Sequence, residues 1–303
     1  MLTTAIDTYV ALRKSVGFRF VGEGHMLEHY GRFALARGDT HVRAQRVLEW
    51  AALAPSPRTR ERRLGVVISF ARHAKAEDAR HEIPPRHAFA RDRRQQMPPY
   101  IYPLDKIRFL LDSAMKLEPS GSLRPCTYYT LFGLLACTGL RISEALALRL
   151  ADFSTDVLVV RGTKFGKSRL VPLHDTAIAA LNEYVRKRQR VRSPDDHLFI
   201  SDHGRPIRYK HAYRIFRRLV VQPSGNTKVS RRPTIHGLRH TFAVRALESS
   251  PNGRDHVGWH IRALSTYLGH VTVASTYWYL RATPQLMRDL ADLCRPVVEG
   301  VAS

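Results

Sequence analysis

A chain of 303 residues is long for one core, and with 44% hydrophobic residues it can bury a sizeable interior, so two folded domains are expected and disorder is excluded. Lys and Arg number 49 against 26 Asp and Glu, a net charge of +23 that calls for a polyanionic partner, nucleic acid first, unless it reflects only the Arg bias of a GC-rich genome. The three cysteines, Cys126, Cys137 and Cys294, lack paired spacing, and apolar runs such as 131–137 are far too short to span a bilayer, so a disulfide framework, a zinc site and a membrane protein are all set aside.

Residues 1–82 read as a helical domain. Ile6, Tyr9, Val10 and Leu12 begin a pattern that breaks near Gly17, and Met26, Tyr30, Phe33 and Ala34 form a second apolar face. Val47, Trp50 and Leu53 make a third face, ended by Pro55 and Pro57, and Leu64, Val67, Ile68 and Phe70 a fourth. Residues 83–100 read as a linker: Pro84-Pro85, an Arg-dense stretch, then Pro98-Pro99, because proline pairs disfavour helix and hold the chain extended. Residues 101–303 are expected to form a second, mostly helical domain. Helices are predicted at 104–115 and 128–137, and another opens at Arg141. The period then switches to strand at 157–161 and 170–173 around a turn containing Gly162 and Gly166, which is a β-hairpin. Asp175 is placed to cap the helix running to about residue 190, and Leu198-Phe199-Ile200 could add a short strand. The remainder reads as helix with loops near Pro223 and Pro251, and 283–303 carries an amphipathic pattern of Leu286, Met287, Leu290, Leu293 and Val297. The fold class is therefore mainly α (α+β) with one small antiparallel sheet. With no signal peptide read in residues 1–10, the expected location is the cytoplasm, at a bacterial nucleoid.

Basic clusters at 58–63, 86–94, 186–192 and 228–232 spread over both halves. Singly each reads as a solvated face; together they favour a surface that grips duplex DNA. The candidate contacts are Arg58, Arg60, Arg62, Arg63, Arg91, Arg93, Arg94, Lys167, Arg231 and Arg232.

The second half also carries Arg141, Lys164, His236, Arg239, His270 and Tyr279, in that order. Cutting a phosphodiester needs an oxygen nucleophile and donors for the charge that grows on the phosphate. Two guanidiniums suit the second task, since the Arg fork binds phosphate oxygens bidentately and stays charged. His236 and His270 can donate further hydrogen bonds or move a proton, Lys164 can protonate the departing oxygen, and a tyrosine near His270 can supply the nucleophile. No metal or other cofactor is expected. Glu144 is read as an accessory residue that orients Arg141 or a histidine, and His240 as a buried hydrogen-bonding residue. Tyr277 and Tyr279 lie close after His270 and Tyr267 precedes it, which leaves the nucleophile ambiguous; residues two apart on a helix face nearly opposite sides, so only one of Tyr277 and Tyr279 can face the phosphate.

Each of these residues sits in a frame: Thr138-Gly139-Leu140-Arg141-Ile142-Ser143-Glu144, a hairpin from Gly162 to Pro172, His236-Gly237-Leu238-Arg239-His240, and Leu268-Gly269-His270. In those frames the chain resembles the tyrosine recombinase (phage integrase) family over about residues 100–290. The resemblance places Lys164 in the catalytic lysine slot and Tyr279 in that of the nucleophile. It implies a covalent 3′-phosphotyrosine intermediate, a tetramer on two DNA sites and, for the tail from 283, docking on a neighbouring protomer or on its own domain. The wording of 275–280 is similar to recombinases of transposable elements. Residues 249–260 look longer than is usual in the family. Type IB topoisomerases use similar chemistry to relax DNA, and a catalytically silent DNA-binding accessory protein is the rival of another class. A metal nuclease would want clustered carboxylates, and here the acids are scattered.

Overall fold

The computed structural model describes residues 1–89, 99–162, 168–220, 233–249, 254–269, 272, 276 and 279. The chain divides into two compact units, Met1–Gln96 and Met97–Ser303. Among the described residues there are eleven α-helices and a two-stranded antiparallel sheet, the mainly α class expected, and no helix long and apolar enough to cross a membrane.

The first unit contains α1 (Leu2–Ser15), α2 (Val21–Leu35), α3 (Ala44–Ala52) and α4 (Pro57–Glu77). Their apolar stripes meet in a core that includes Leu27, Tyr30, Trp50, Val67 and Phe70, all fully buried. Pro57, expected to help end α3, instead opens α4. The Ser56 hydroxyl accepts the Thr59 N–H at 3.2 Å, and a proline at the first helical position has no N–H to leave unsatisfied.

The second unit runs α5 (Leu104–Met115), α6 (Leu123–Thr138), α7 (Ile142–Ala147), a 3₁₀ turn (Leu150–Asp152), β1 (Val157–Val160), β2 (Arg169–Pro172), α8 (Asp175–Arg188), α9 (Tyr209–Val220), α10 (Ile235–Glu248) and α11 (Arg254–Leu268). Helix α6 is apolar on most of its surface, as its central place requires: it packs against α5, α8 and α10. The hairpin pairs Val157 with Pro172 and Val160 with Arg169.

Three expectations change. The cap of α8 is His174, whose ring accepts the Thr176 N–H, and Asp175 is the first helical residue, where its charge still suits the helix dipole. Leu198, Phe199 and Ile200 are fully buried but form only isolated bridges, Arg149 with His197 and Ile200 with Pro206; burial of an apolar run needs no ladder. Residues 254–260, read as part of a long loop, are the first turns of α11.

Candidate active site

Helix α6 ends at Gly139, whose φ of 63° is left-handed and whose absent Cβ would meet the Phe242 ring at 2.5 Å. Only glycine fits a turn that is both left-handed and this close to α10. The turn releases the chain into Arg141, the N-cap of α7, and leaves the Gly139 carbonyl facing α10. Arg239 of α10 donates to that carbonyl at 2.7 Å and to the Leu268 carbonyl at the end of α11 at 2.8 Å. Arg141 donates to the carbonyl of Gly269, which is also left-handed, at 3.3 Å. Both guanidiniums are thus oriented by carbonyls at helix C-termini, where partial negative charge collects.

Glu144 joins these parts. Its carboxylate accepts the Arg141 backbone N–H at 3.0 Å and the Arg141 guanidinium at 2.7 Å. From β2, Arg169 donates to both Glu144 oxygens, at 3.2 and 2.8 Å, and to the Tyr267 carbonyl at 2.8 Å. Burial alone would raise the Glu144 pKa; the Arg169 and Arg141 hydrogen bonds outweigh it and hold the carboxyl at about 2. Burial, and then the neighbouring Arg141, bring Arg239 down to about 10, so it remains a cation at neutral pH.

Tyr279 is 3% exposed, and its hydroxyl lies 3.1 Å from Nδ1 of His240. Burial pushes the phenol up, against the opposing pull of Arg239, which also hydrogen-bonds it, and of Arg141. His236 lies one turn before His240 on α10, their rings edge to face at 4.4 Å. It opens to solvent on one side, yet desolvation by the surrounding protein, then Arg239 and Arg141, lower its pKa and favour the neutral imidazole. The arrangement offers two fixed cations, two imidazoles and a phenol in one place, which suits a pentacoordinate phosphate.

The structure therefore brings together Arg141, Glu144, His236, Arg239 and Tyr279. Lys164, Lys167, His270, Arg91, Arg93, Arg94, Arg231 and Arg232 lie outside the described residues, as do Tyr277 and the segment 283–303. Of the α4 candidates, Arg58 is exposed, Arg62 pairs with Glu23 at 3.1 Å, Arg60 lies over Phe89, and Arg63 lies over Trp50 and donates to its carbonyl. One residue of the site had been passed over, Arg169, whereas His240, expected to be a buried hydrogen-bonding residue, is half-buried and lies within hydrogen-bond distance of the Tyr279 hydroxyl. Four-residue spacing from His236 was a signal for His240, since it places both on one helix face. Arg169 lay within the hairpin frame from Gly162 to Pro172 but was given no role there. Among the described residues, His41, Asp78 and His81 cluster closely enough for a cation, but Val42 N–H occupies His81 Nδ1 and Arg80 holds both Asp78 oxygens.

The model of the phage integrase family matches residues 105–285. Over 94% of both chains the protein is 37% identical to y4rB of Sinorhizobium fredii, provisionally named an integrase/recombinase. It is 31% identical to the tyrosine recombinase XerD of Halalkalibacterium halodurans, over 62% of this chain and 58% of that one. Its fold is similar to that of the Tn1549 transposon integrase solved with transposon right end DNA, with a TM-score of 0.66, 20% identity and 99% of each chain covered.

Proposed function

Because the chain belongs to the phage integrase family of tyrosine recombinases, we propose that it is a site-specific recombinase of a mobile element, cutting and rejoining duplex DNA through Tyr279. The observation that carries this reading is the Tyr279 hydroxyl held between His240 and Arg239, with Arg141 beside it. An unassisted phenol with pKa near ~10 is ionised only about one time in a thousand at neutral pH, so a nucleophilic tyrosine needs such neighbours.

Tyr279 attacks the scissile phosphorus, the bond to the 5′ oxygen breaks, and Lys164 protonates that oxygen. Arg141, Arg239, His236 and His270 bind the non-bridging oxygens as charge grows there. The product is a 3′-phosphotyrosyl bond and a free 5′-hydroxyl. Because the phosphoester bond energy is kept, a second 5′-hydroxyl can reseal the strand without ATP, and the guanidiniums fill the charge-stabilising role a metal would otherwise take. Residues 1–82 are the DNA-binding domain, 83–100 the linker and 101–303 the catalytic domain, its tail from about 283 docking in cis or on a neighbour. Arg58, Arg60, Arg62, Arg91, Arg93, Arg94, Lys167, Arg231 and Arg232 serve the DNA backbone, Arg63 of the same basic run being held by Trp50, and the assembly is a tetramer on two sites, at the nucleoid. The transposon integrase with its end DNA supports the mobile-element reading.

The test uses nicked suicide duplexes from the element's termini, incubated in EDTA with wild type, Tyr279→Phe and Tyr277→Phe, and resolved on a denaturing gel. A covalent adduct lost only in Tyr279→Phe is the expected result. Retained DNA binding with no wild-type adduct would favour a silent accessory protein, and relaxation of a single duplex without exchange between sites would favour a topoisomerase.

A further inference from the structure

The two histidines of α10 differ in what they reach. His236 touches the His240 ring edge-on at 4.4 Å, whereas His240 Nδ1 stands 3.1 Å from the Tyr279 hydroxyl with the rings 5.4 Å apart. Resting on Tyr279 as the nucleophile, we infer that His240 is the base that takes the Tyr279 proton when a strand is cut and returns it when the strand is rejoined.

The phenol must lose its proton as its oxygen bonds to phosphorus, and at 3% exposure it cannot rely on bulk hydroxide. Among the described residues, Arg239 and Arg141 bear on it as guanidiniums, which keep their protons at working pH. The Glu144 carboxylate is already taken by Arg141 and Arg169, and His236 meets the ring of His240. Nδ1 of His240 is at hydrogen-bond distance, in the range expected of a general base. The ring keeps its other proton on Nε2 and accepts the phenolic one on Nδ1, becoming imidazolium. The Tyr279 O–H bond breaks, the O–P bond forms, and the bond from phosphorus to the 5′ oxygen breaks, that oxygen taking its proton from Lys164. In rejoining, the 5′-hydroxyl returns its proton to Lys164 as its oxygen bonds to phosphorus, the bond from phosphorus to the tyrosyl oxygen breaks, and that oxygen recovers its proton from His240. No further reactant is needed.

The local build favours this assignment. His240 follows Arg239 on a helix whose position is pinned through Arg239 to the Gly139 and Leu268 carbonyls. The cation that stabilises a phenolate and the base that creates it therefore keep a fixed separation.

Single-turnover cleavage of the suicide duplex by the full-length protein tests the inference through His240→Asn. The Asn amide sits near the place of Nδ1 and can hydrogen-bond a phenol, but it cannot take a proton. The expected result is cleavage slower by about 10²- to 10⁴-fold at neutral pH, with a rate that climbs roughly tenfold per pH unit where wild type has levelled off. Replacing Tyr279 with a fluorinated, more acidic tyrosine should restore most of the lost rate in the His240→Asn background, which also guards against a folding defect. A His240→Asn rate within about threefold of wild type, or a slow variant with the wild-type pH profile and no gain from fluorotyrosine, overturns the inference. An adduct that persists in Tyr279→Phe overturns instead the nucleophile assignment on which it rests.

Discussion

The arginines of α4 and those of the candidate active site are the same residue in two different states. On α4, Arg58 is exposed, Arg62 makes one ion pair with its side chain 54% exposed, and Arg63 rests on the Trp50 ring at 4.8 Å. In the second unit Arg239 is 2% exposed and bonded to two helix-terminal carbonyls, and Arg169 shares a buried carboxylate with Arg141. Guanidiniums of the second kind have lost their rotamer freedom before substrate arrives, so their donors are aimed in advance. An exposed arginine such as Arg58 keeps that freedom, which suits a phosphate backbone whose exact path varies. Positive charge lies largely toward solvent in one region and is fixed in place in the other.

The comparison breaks most visibly at Arg239. Lysine keeps the charge but is a point donor, unable to bond the Gly139 and Leu268 carbonyls and still present a planar fork to phosphate. Arg239→Lys should slow cleavage by about 10²- to 10³-fold while duplex affinity changes little. Gel-shift titration beside single-turnover cleavage separates the two. A parallel loss of affinity would mean that Arg239 acts as another gripping charge.

Glu144→Gln probes the buried network with a smaller expected effect. Glutamine keeps the shape but leaves the Arg141 and Arg169 guanidiniums without their counter-charge, so cleavage should fall by about 10- to 100-fold, the usual scale for a supporting partner. The same residue predicts an acid dependence. Its carboxyl ionises at about 2 in the fold against an ordinary 4.5, so the unfolded chain takes up its proton first as pH falls. The stabilisation is fully present above 4.5 and is lost as pH drops toward 2, and it amounts to roughly 3 kcal/mol. Urea unfolding between these values should show wild type losing this increment and Glu144→Gln lacking it.

Much of the site was legible because its residues lie in short frames. Gly139 and Arg141 share one, and Arg239 sits in another beside His236. Helix α5 was readable to its ends, Leu104 and Met115, since its apolar period is uninterrupted. What stayed hidden depends on distant partners. Arg169 meets Glu144 across 25 positions and His240 meets Tyr279 across 39, and no local period records either pairing. The α4 cluster hid a distinction of the same kind: 58–63 reads as one basic run, although Trp50 and Glu23, remote in sequence, claim two of its members.

That distinction gives the smallest and most discriminating test. Arg63 spends its side chain on the ring and carbonyl of Trp50, so Arg63→Ala should lower the unfolding free energy by about 1 kcal/mol and leave the salt dependence of DNA binding nearly unchanged. Arg58 is exposed, so Arg58→Ala should leave stability alone and, if the side chain meets a phosphate, reduce the slope of log affinity against log salt by about 0.9. The two effects should not mix, because a guanidinium held on an aromatic ring must give up that contact to reach a phosphate. If Arg63→Ala lowers the salt slope as well, the Trp50 contact yields to DNA, and the gripping surface of α4 is wider than its exposed arginines.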